Sequence, residues 1–139
     1  MSADTDCLFC KIVAEEVPGT IIDSDERTVS FMDIFPVTRG HALVVPRNHA
    51  RDVHDIDPDD LAAVARAAQR LAARARDVLG ADGVNLLNFN GRAAWQTVFH
   101  FHLHVIPRYE DDPLRLQWVP GPGDPEEITA AAELLKGGA

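Results

Sequence analysis

Apolar and polar residues alternate from His100 through His104 in His100-Phe101-His102-Leu103-His104-Val105-Ile106. A β-strand sends successive residues to opposite faces. The alternation therefore predicts a strand with Phe101, Leu103 and Val105 in a core and three imidazoles on the other side, ended by Pro107, which lacks a ladder donor. Upstream, Ile21-Ile22-Asp23 and Thr28 to Asp33 flank an acidic turn at Asp25-Glu26 and predict a hairpin. Ile34 to Gly40 reads as a loop, and His41 to Pro46 as a further strand. Asp57-Pro58-Asp59-Asp60 carries the signals of a helix start: a capping aspartate, proline in the first turn and acids at the positive end of the dipole. Leu61, Val64, Ala68, Leu71, Val78 and Leu79 keep near-helical spacing until Gly80, and the many alanines predict a slim helix that can approach another surface closely.

Gly83 to Gly91 reads as a strand ending in a turn, and the loop after it leads into the histidine strand, so the two are expected to be antiparallel neighbours. Cys7 to Val13 forms a short element leading to a turn at Pro18-Gly19, behind a polar, acidic start (residues 1–6) expected to fray. After Tyr109 the chain turns acidic and is broken by Pro113, Pro120, Pro122 and Pro125. Asp124-Pro125-Glu126-Glu127 opens a last helix through about Lys136, with Ile128, Leu134 and Leu135 as its apolar positions and Trp118 as a packing anchor before it. The elements add up to an α+β fold: a mainly antiparallel sheet of about five strands, one long helix and a short C-terminal helix, in a single domain.

Composition narrows the function classes. The 139 residues suffice for one core, and the formal charge of −9 argues against a general nucleic-acid surface. No apolar run approaches a membrane span, and the start lacks a basic-then-apolar signal. Both cysteines lie in Cys7-Leu8-Phe9-Cys10, which, without a secretion signal, fits a reduced cytoplasmic setting better than a disulfide framework.

The chemistry concentrates in the histidine strand, which holds three of the six histidines. Imidazole titrates near neutrality, and crowding disfavours the cation, so at least one of His100, His102 and His104 is expected to be a neutral nucleophile. A three-histidine zinc site and a merely polar strand face are the competing readings. Cys7 and Cys10 can pinch a zinc ion or form a redox pair, and a complete zinc site needs two further ligands, for which histidines are the available donors. Asp33 has a plain reading as a strand-end turn residue, and His41 as a satisfied histidine at a strand start.

His-Phe-His-Leu-His-Val-Ile resembles the signature of the histidine triad family, as do its lead-in Gln96-Thr97-Val98 and its trailing Pro107-Arg108. The resemblance covers about residues 7–109 and leaves 110–139 as a variable tail. It implies that His102 is the nucleophile, that His104 binds phosphate or manages a proton, and that His41 orients or protonates the site. It implies that Asp33 takes the ribose hydroxyls, that Phe9, Ile22, Phe31 and Ile34 form an apolar slot for the base, and that Asn90, Gln96 and Thr97 face the phosphate. It also implies a closed structural zinc site of Cys7, Cys10, His49 and His100, and a homodimer with the long helix in its interface. Two residues depart from the pattern: Trp95 stands where many relatives have glycine, and Phe89 where many have asparagine or glutamine.

The implied activity is hydrolysis of a nucleotide conjugate of the phosphoramidate type at its α-phosphorus, with a purine nucleotide as the expected partner and nucleic acid or membrane as none. A dinucleoside polyphosphate hydrolase is the alternative that keeps the chemistry, and the Pro107-Arg108 ending resembles that branch. A nucleotide- or partner-binding module without turnover is the alternative of another class.

Overall fold

The computed structural model describes residues 4–115 and 118–137. Its elements run α1 (Leu8–Val13), β1 (Ile21–Ser24), β2 (Thr28–Met32), β3 (Ala42–Pro46), α2 (Pro58–Leu79), β4 (Gly83–Leu87), a 3-10 turn (Arg92–Ala94), β5 (Leu103–Arg108) and α3 (Pro125–Lys136). The strands form one antiparallel sheet in the order β1-β2-β3-β5-β4, so the architecture is the expected α+β.

Period-two alternation divides the sheet into two faces. Ala42, Val44, Phe101 and Val105 face α2 and pack on Val64, Ala67, Ala68 and Leu71. Val29, Phe31, Leu43 and Val45 face the other way and pack on Cys7, Phe9, Cys10 and Ile12 of the N-terminal segment. Val64, Ala67 and Ala68 are wholly buried. The small alanines bring the helix close to the strands, while complete burial of a side chain such as Val64 contributes about 1.5–3 kcal/mol. Asp57 caps α2 by accepting from the Asp59 amide, and Gly80 ends it in the left-handed conformation at φ 69°. Glycine pays little for that angle, which is why the spacing rule located this helix so closely.

Four expectations change. His100, Phe101 and His102 lie before β5, because the β3 ladder reaches only Leu103; the Phe101 amide donates instead to the Ala50 carbonyl. Pro107 does not end the strand. It pairs with Val84 of β4, beyond the last rung to β3 at Val105, where its missing donor breaks no ladder bond. The chain start is ordered from Asp4 onward: the Cys7 amide donates to the Asp4 carbonyl and the Asp4 amide to Cys10 Sγ, while residues 1–3 lie outside the described residues. In the tail, α3 forms as expected, but Ile128, Leu134, Leu135 and Trp118 are all exposed, so Trp118 anchors nothing within the described residues.

Candidate active site and metal cluster

The imidazoles of His100, His102 and His104 lie on the side away from α2, and their hydrogen bonds assign each a tautomer. His102 Nδ1 lies 2.8 Å from the His100 carbonyl, which can only accept, so Nδ1 carries the hydrogen and Nε2 keeps its lone pair. Asn88 secures the same stretch by donating to the His102 carbonyl at 2.9 Å. In His100 the roles reverse. Its Nε2 donates to the Pro46 carbonyl at 2.8 Å, which turns an unprotonated Nδ1 toward Cys7 Sγ at 3.4 Å and Cys10 Sγ at 3.3 Å.

His41 and His104 form a directed pair. The Val37 amide donates to His41 Nδ1 at 3.1 Å, so His41 carries its hydrogen on Nε2. That Nε2 lies 2.9 Å from His104 Nδ1 and donates to it, which leaves His104 as the Nε2–H tautomer. Asp33 Oδ2 stands 3.4 Å from the same His41 nitrogen, while Oδ1 accepts from the Phe35 amide. Asp33, His41 and His104 bring donor atoms within 4.8 Å of one another, as a metal site would. The Val37 amide argues against that use, because a protonated Nε2 has no lone pair for a cation.

Burial is the chief reason these rings stay neutral. It pushes His104 down to about 4, with charge on His102 and His41 acting in the same direction against the carboxylate of Asp33. His102 and His41 are lowered as well, again by burial first. Mutual repulsion, the reason read from the crowded sequence, is the smaller cause.

Beside the histidines lies a cavity of about 420 Å³ lined by Phe9, Phe31, Asp33, Ile34, Leu43, Thr97, His102 and His104 among others. It is mostly apolar, with Asp33, Thr97, His102 and His104 as its polar lining residues. Three residues expected around it are placed elsewhere. Ile22 is the extra residue of a bulge between Ile21 and Asp23 and lines a hollow against α2 with Leu71 and Arg74. Gln96 is buried and spends its amide on backbone: Oε1 accepts from Gly91, and Nε2 donates to the Arg51 and Val98 carbonyls. Asn90 accepts from the Val53 amide and donates to Asn88, so it braces the residue that holds His102. Arg108, part of the Pro107-Arg108 ending, is also committed, donating to Asp112, Asn85 and the Leu114 carbonyl.

Cys7, Cys10, His49 and His100 present four donor atoms within 4.8 Å of one another. Cys10 Sγ lies 3.3 Å from both His49 Nδ1 and His100 Nδ1. A tetrahedral zinc ion with ordinary bond lengths sets sulfur and nitrogen ligands about 3.5 Å apart, so the donor set fits. Without a cation, burial and the adjacent Cys7 push the Cys10 thiol up to about 11, the situation a divalent ion would reverse. These four residues can therefore hold a metal. The three histidines of the triad do not converge as a ligand set among the described residues, because His100 belongs to the cysteine cluster.

Sequence reasoning missed Val37, whose amide sets the tautomers of the His41–His104 pair, and Asn88, which donates to the His102 carbonyl. A backbone donor leaves no residue-type signal. It also missed that Phe89 and Trp95 meet, with ring centroids 6.4 Å apart and Phe89 5.4 Å from His104.

A protein of Streptococcus mutans of known crystal structure matches with a TM-score of 0.91 at 34% identity, covering 97% of this chain and 86% of that one. A zinc-bound histidine triad family protein from Mycobacterium smegmatis matches at 42% identity with a TM-score of 0.77, covering 96% and 98%. An adenosine 5′-monophosphoramidase of Schizosaccharomyces pombe is 36% identical over 128 residues, 91% of this chain and 93% of that protein. The HIT domain profile matches residues 14–111, which hold the sheet, α2 and the histidine run. With His102 and His104 lining the cavity and these matches over most of its length, the chain is a member of the histidine triad family.

Proposed function

We propose that the protein hydrolyses nucleotide conjugates of the phosphoramidate type, releasing a nucleoside monophosphate through a nucleotidyl-histidine intermediate. One observation carries the reading: His102 is held by the His100 carbonyl with its Nε2 lone pair available, beside a cavity with a carboxylate at Asp33. An imidazole of that form can attack phosphorus without first losing a proton. The S. pombe relative named as a phosphoramidase supports the reading.

The nucleoside occupies the cavity, its base between Phe9, Phe31 and Ile34 and its ribose hydroxyls on Asp33. A purine suits an apolar slot of this size. His102 Nε2 forms a bond to the α-phosphorus as the phosphorus–nitrogen bond of the conjugate breaks. The bonding pair departs with the amine, which takes one proton from solvent. Water then attacks the nucleotidyl-histidine, freeing His102 and returning the proton. His104 Nε2–H and Thr97 stand at the same wall and donate to the phosphate oxygens.

Cys7, Cys10, His49 and His100 would hold a zinc ion in a structural role, tying α1 to the histidine run, with all four ligands supplied by the protein. The chain works as one histidine triad domain, in the cytoplasm and as a homodimer, without nucleic-acid or membrane partners. Among the described residues no helix is long and apolar enough to cross a membrane.

The test is to follow monophosphate release from adenosine 5′-phosphoramidate and, separately, from diadenosine tetraphosphate, with the wild type and His102→Asn. Release from the phosphoramidate, lost in the variant while zinc content and folding stay intact, is the expected result. Faster release from the tetraphosphate would assign the dinucleoside branch. Tight nucleotide binding with only background rates would make the protein a binding module.

A further inference from the structure

Resting on the hydrolase reading, we propose that Phe89 and Trp95 form a leaving-group subsite that favours conjugates whose departing amine carries a flat aromatic ring. His104 separates two environments. On one side it lines the cavity assigned to the nucleoside, which neither Phe89 nor Trp95 lines. On the other it meets Phe89 at 5.4 Å, and Trp95 lies one ring further out, edge-on to Phe89 at 74°. With the nucleoside in the cavity and phosphorus at His102, in-line displacement sends the amine out of the cavity, past His104 and toward these rings.

Trp95 is costly where it stands. It adopts the left-handed conformation at φ 70°, which strains a residue with a Cβ, and the residue is 73% exposed. Glycine would close the same turn without strain. An exposed indole beside a half-buried phenyl ring offers open aromatic faces at the exit of the site, and a ring on a short tether from the departing nitrogen can stack there. The chemical step is unchanged: the amine leaves with the phosphorus–nitrogen pair and one proton from solvent.

The test compares two adenosine 5′-phosphoramidates that differ only in ring saturation, the 2-phenylethylamine and the 2-cyclohexylethylamine conjugates. Aromatic pairing beyond simple burial predicts that the phenyl compound is favoured roughly two- to tenfold. The ratio is read as kcat/KM in the wild type and as affinity by calorimetry in His102→Asn, which needs no turnover. Trp95→Gly, which relieves the backbone angle, and Phe89→Leu, which keeps apolar bulk, are expected to bring both ratios close to one. No preference in the His102→Asn protein, or a preference that survives Trp95→Gly, overturns the subsite. Absence of release from unsubstituted adenosine 5′-phosphoramidate by the wild type would overturn the hydrolase reading instead, while the binding ratios still decide the subsite.

Discussion

His41 Nε2 lies 2.9 Å from His104 Nδ1, and its other ring nitrogen is already occupied by the Val37 amide. The consequence is directional. A backbone N–H cannot change its role, so His41 must donate to His104, and His104 must present Nε2–H. His41 thereby positions a donor rather than supplying a proton, since losing its only hydrogen would leave an imidazolate.

Replacing His41 with alanine should therefore lower kcat with little change in KM. Removing the partner that orients a metal-bound histidine costs roughly 10- to 100-fold, and a loss of that order is expected for this metal-free pair. His41→Gln, whose amide can still donate toward His104, is expected to recover part of that loss. Steady-state kinetics on adenosine 5′-phosphoramidate checks it, and an unchanged kcat in His41→Ala would remove His41 from the site.

The same burial makes stability depend on pH. Folding lowers His104 from an ordinary 6.5 to about 4 and lowers His41 in the same direction. Between those values the unfolded chain takes up protons that the folded one refuses. Stability is thus fully present above pH 6.5 and lost as pH falls toward about 4, at up to about 1.4 kcal/mol per pH unit for each such histidine. Urea midpoints at about pH 7.5 and about pH 5 measure the drop, which His104→Gln should reduce.

How much of this was legible in the chain depends on how local each signal is. Asp57-Pro58 and Gly80 bound α2 because caps act within one turn, and the alternation from Phe101 to Val105 assigned core and site faces correctly. The resemblance placed Ile22 in the base slot, but it sits at a bulge and lines the hollow against α2, and no residue type announces a bulge. The partners of Gln96 are Arg51, Gly91 and Val98, and the Arg51 contact spans 45 positions of sequence. Trp95 and Phe89 were visible as departures, but their meeting depends on the 3-10 turn between them.

Gln96 gives a test that separates a phosphate ligand from a loop brace. Its side chain makes three hydrogen bonds to backbone while buried. Gln96→Ala leaves buried partners unsatisfied at about 1–3 kcal/mol for each group water cannot reach. The expected outcome is a lower melting temperature, with KM for the phosphoramidate nearly unchanged well below the melting point. A large rise in KM at full stability would return Gln96 to the phosphate.

The metal cluster makes the last prediction, and it follows from where its ligands come from. Cys7 and Cys10 bound the first turn of α1, His49 follows β3, and His100 precedes β5, so one ion would tie the chain start to two parts of the sheet. That tie is long-range in sequence, with Cys7 and His100 93 positions apart. An ion bound only by the folded chain adds stability by mass action, about 4 kcal/mol at a free concentration a thousandfold above Kd. Protein prepared with zinc should carry one ion per chain. A chelator, or Cys10→Ser, should lower the unfolding midpoint and expose residues 7–13 to proteolysis first. His102→Asn should keep its zinc and lose turnover, because its Nδ1 serves the His100 carbonyl and it is not one of the four cluster ligands. If chelation stopped turnover at once while the melting temperature stayed put, the ion would be acting at the reacting phosphorus, and the division between His100 as ligand and His102 as nucleophile would be wrong.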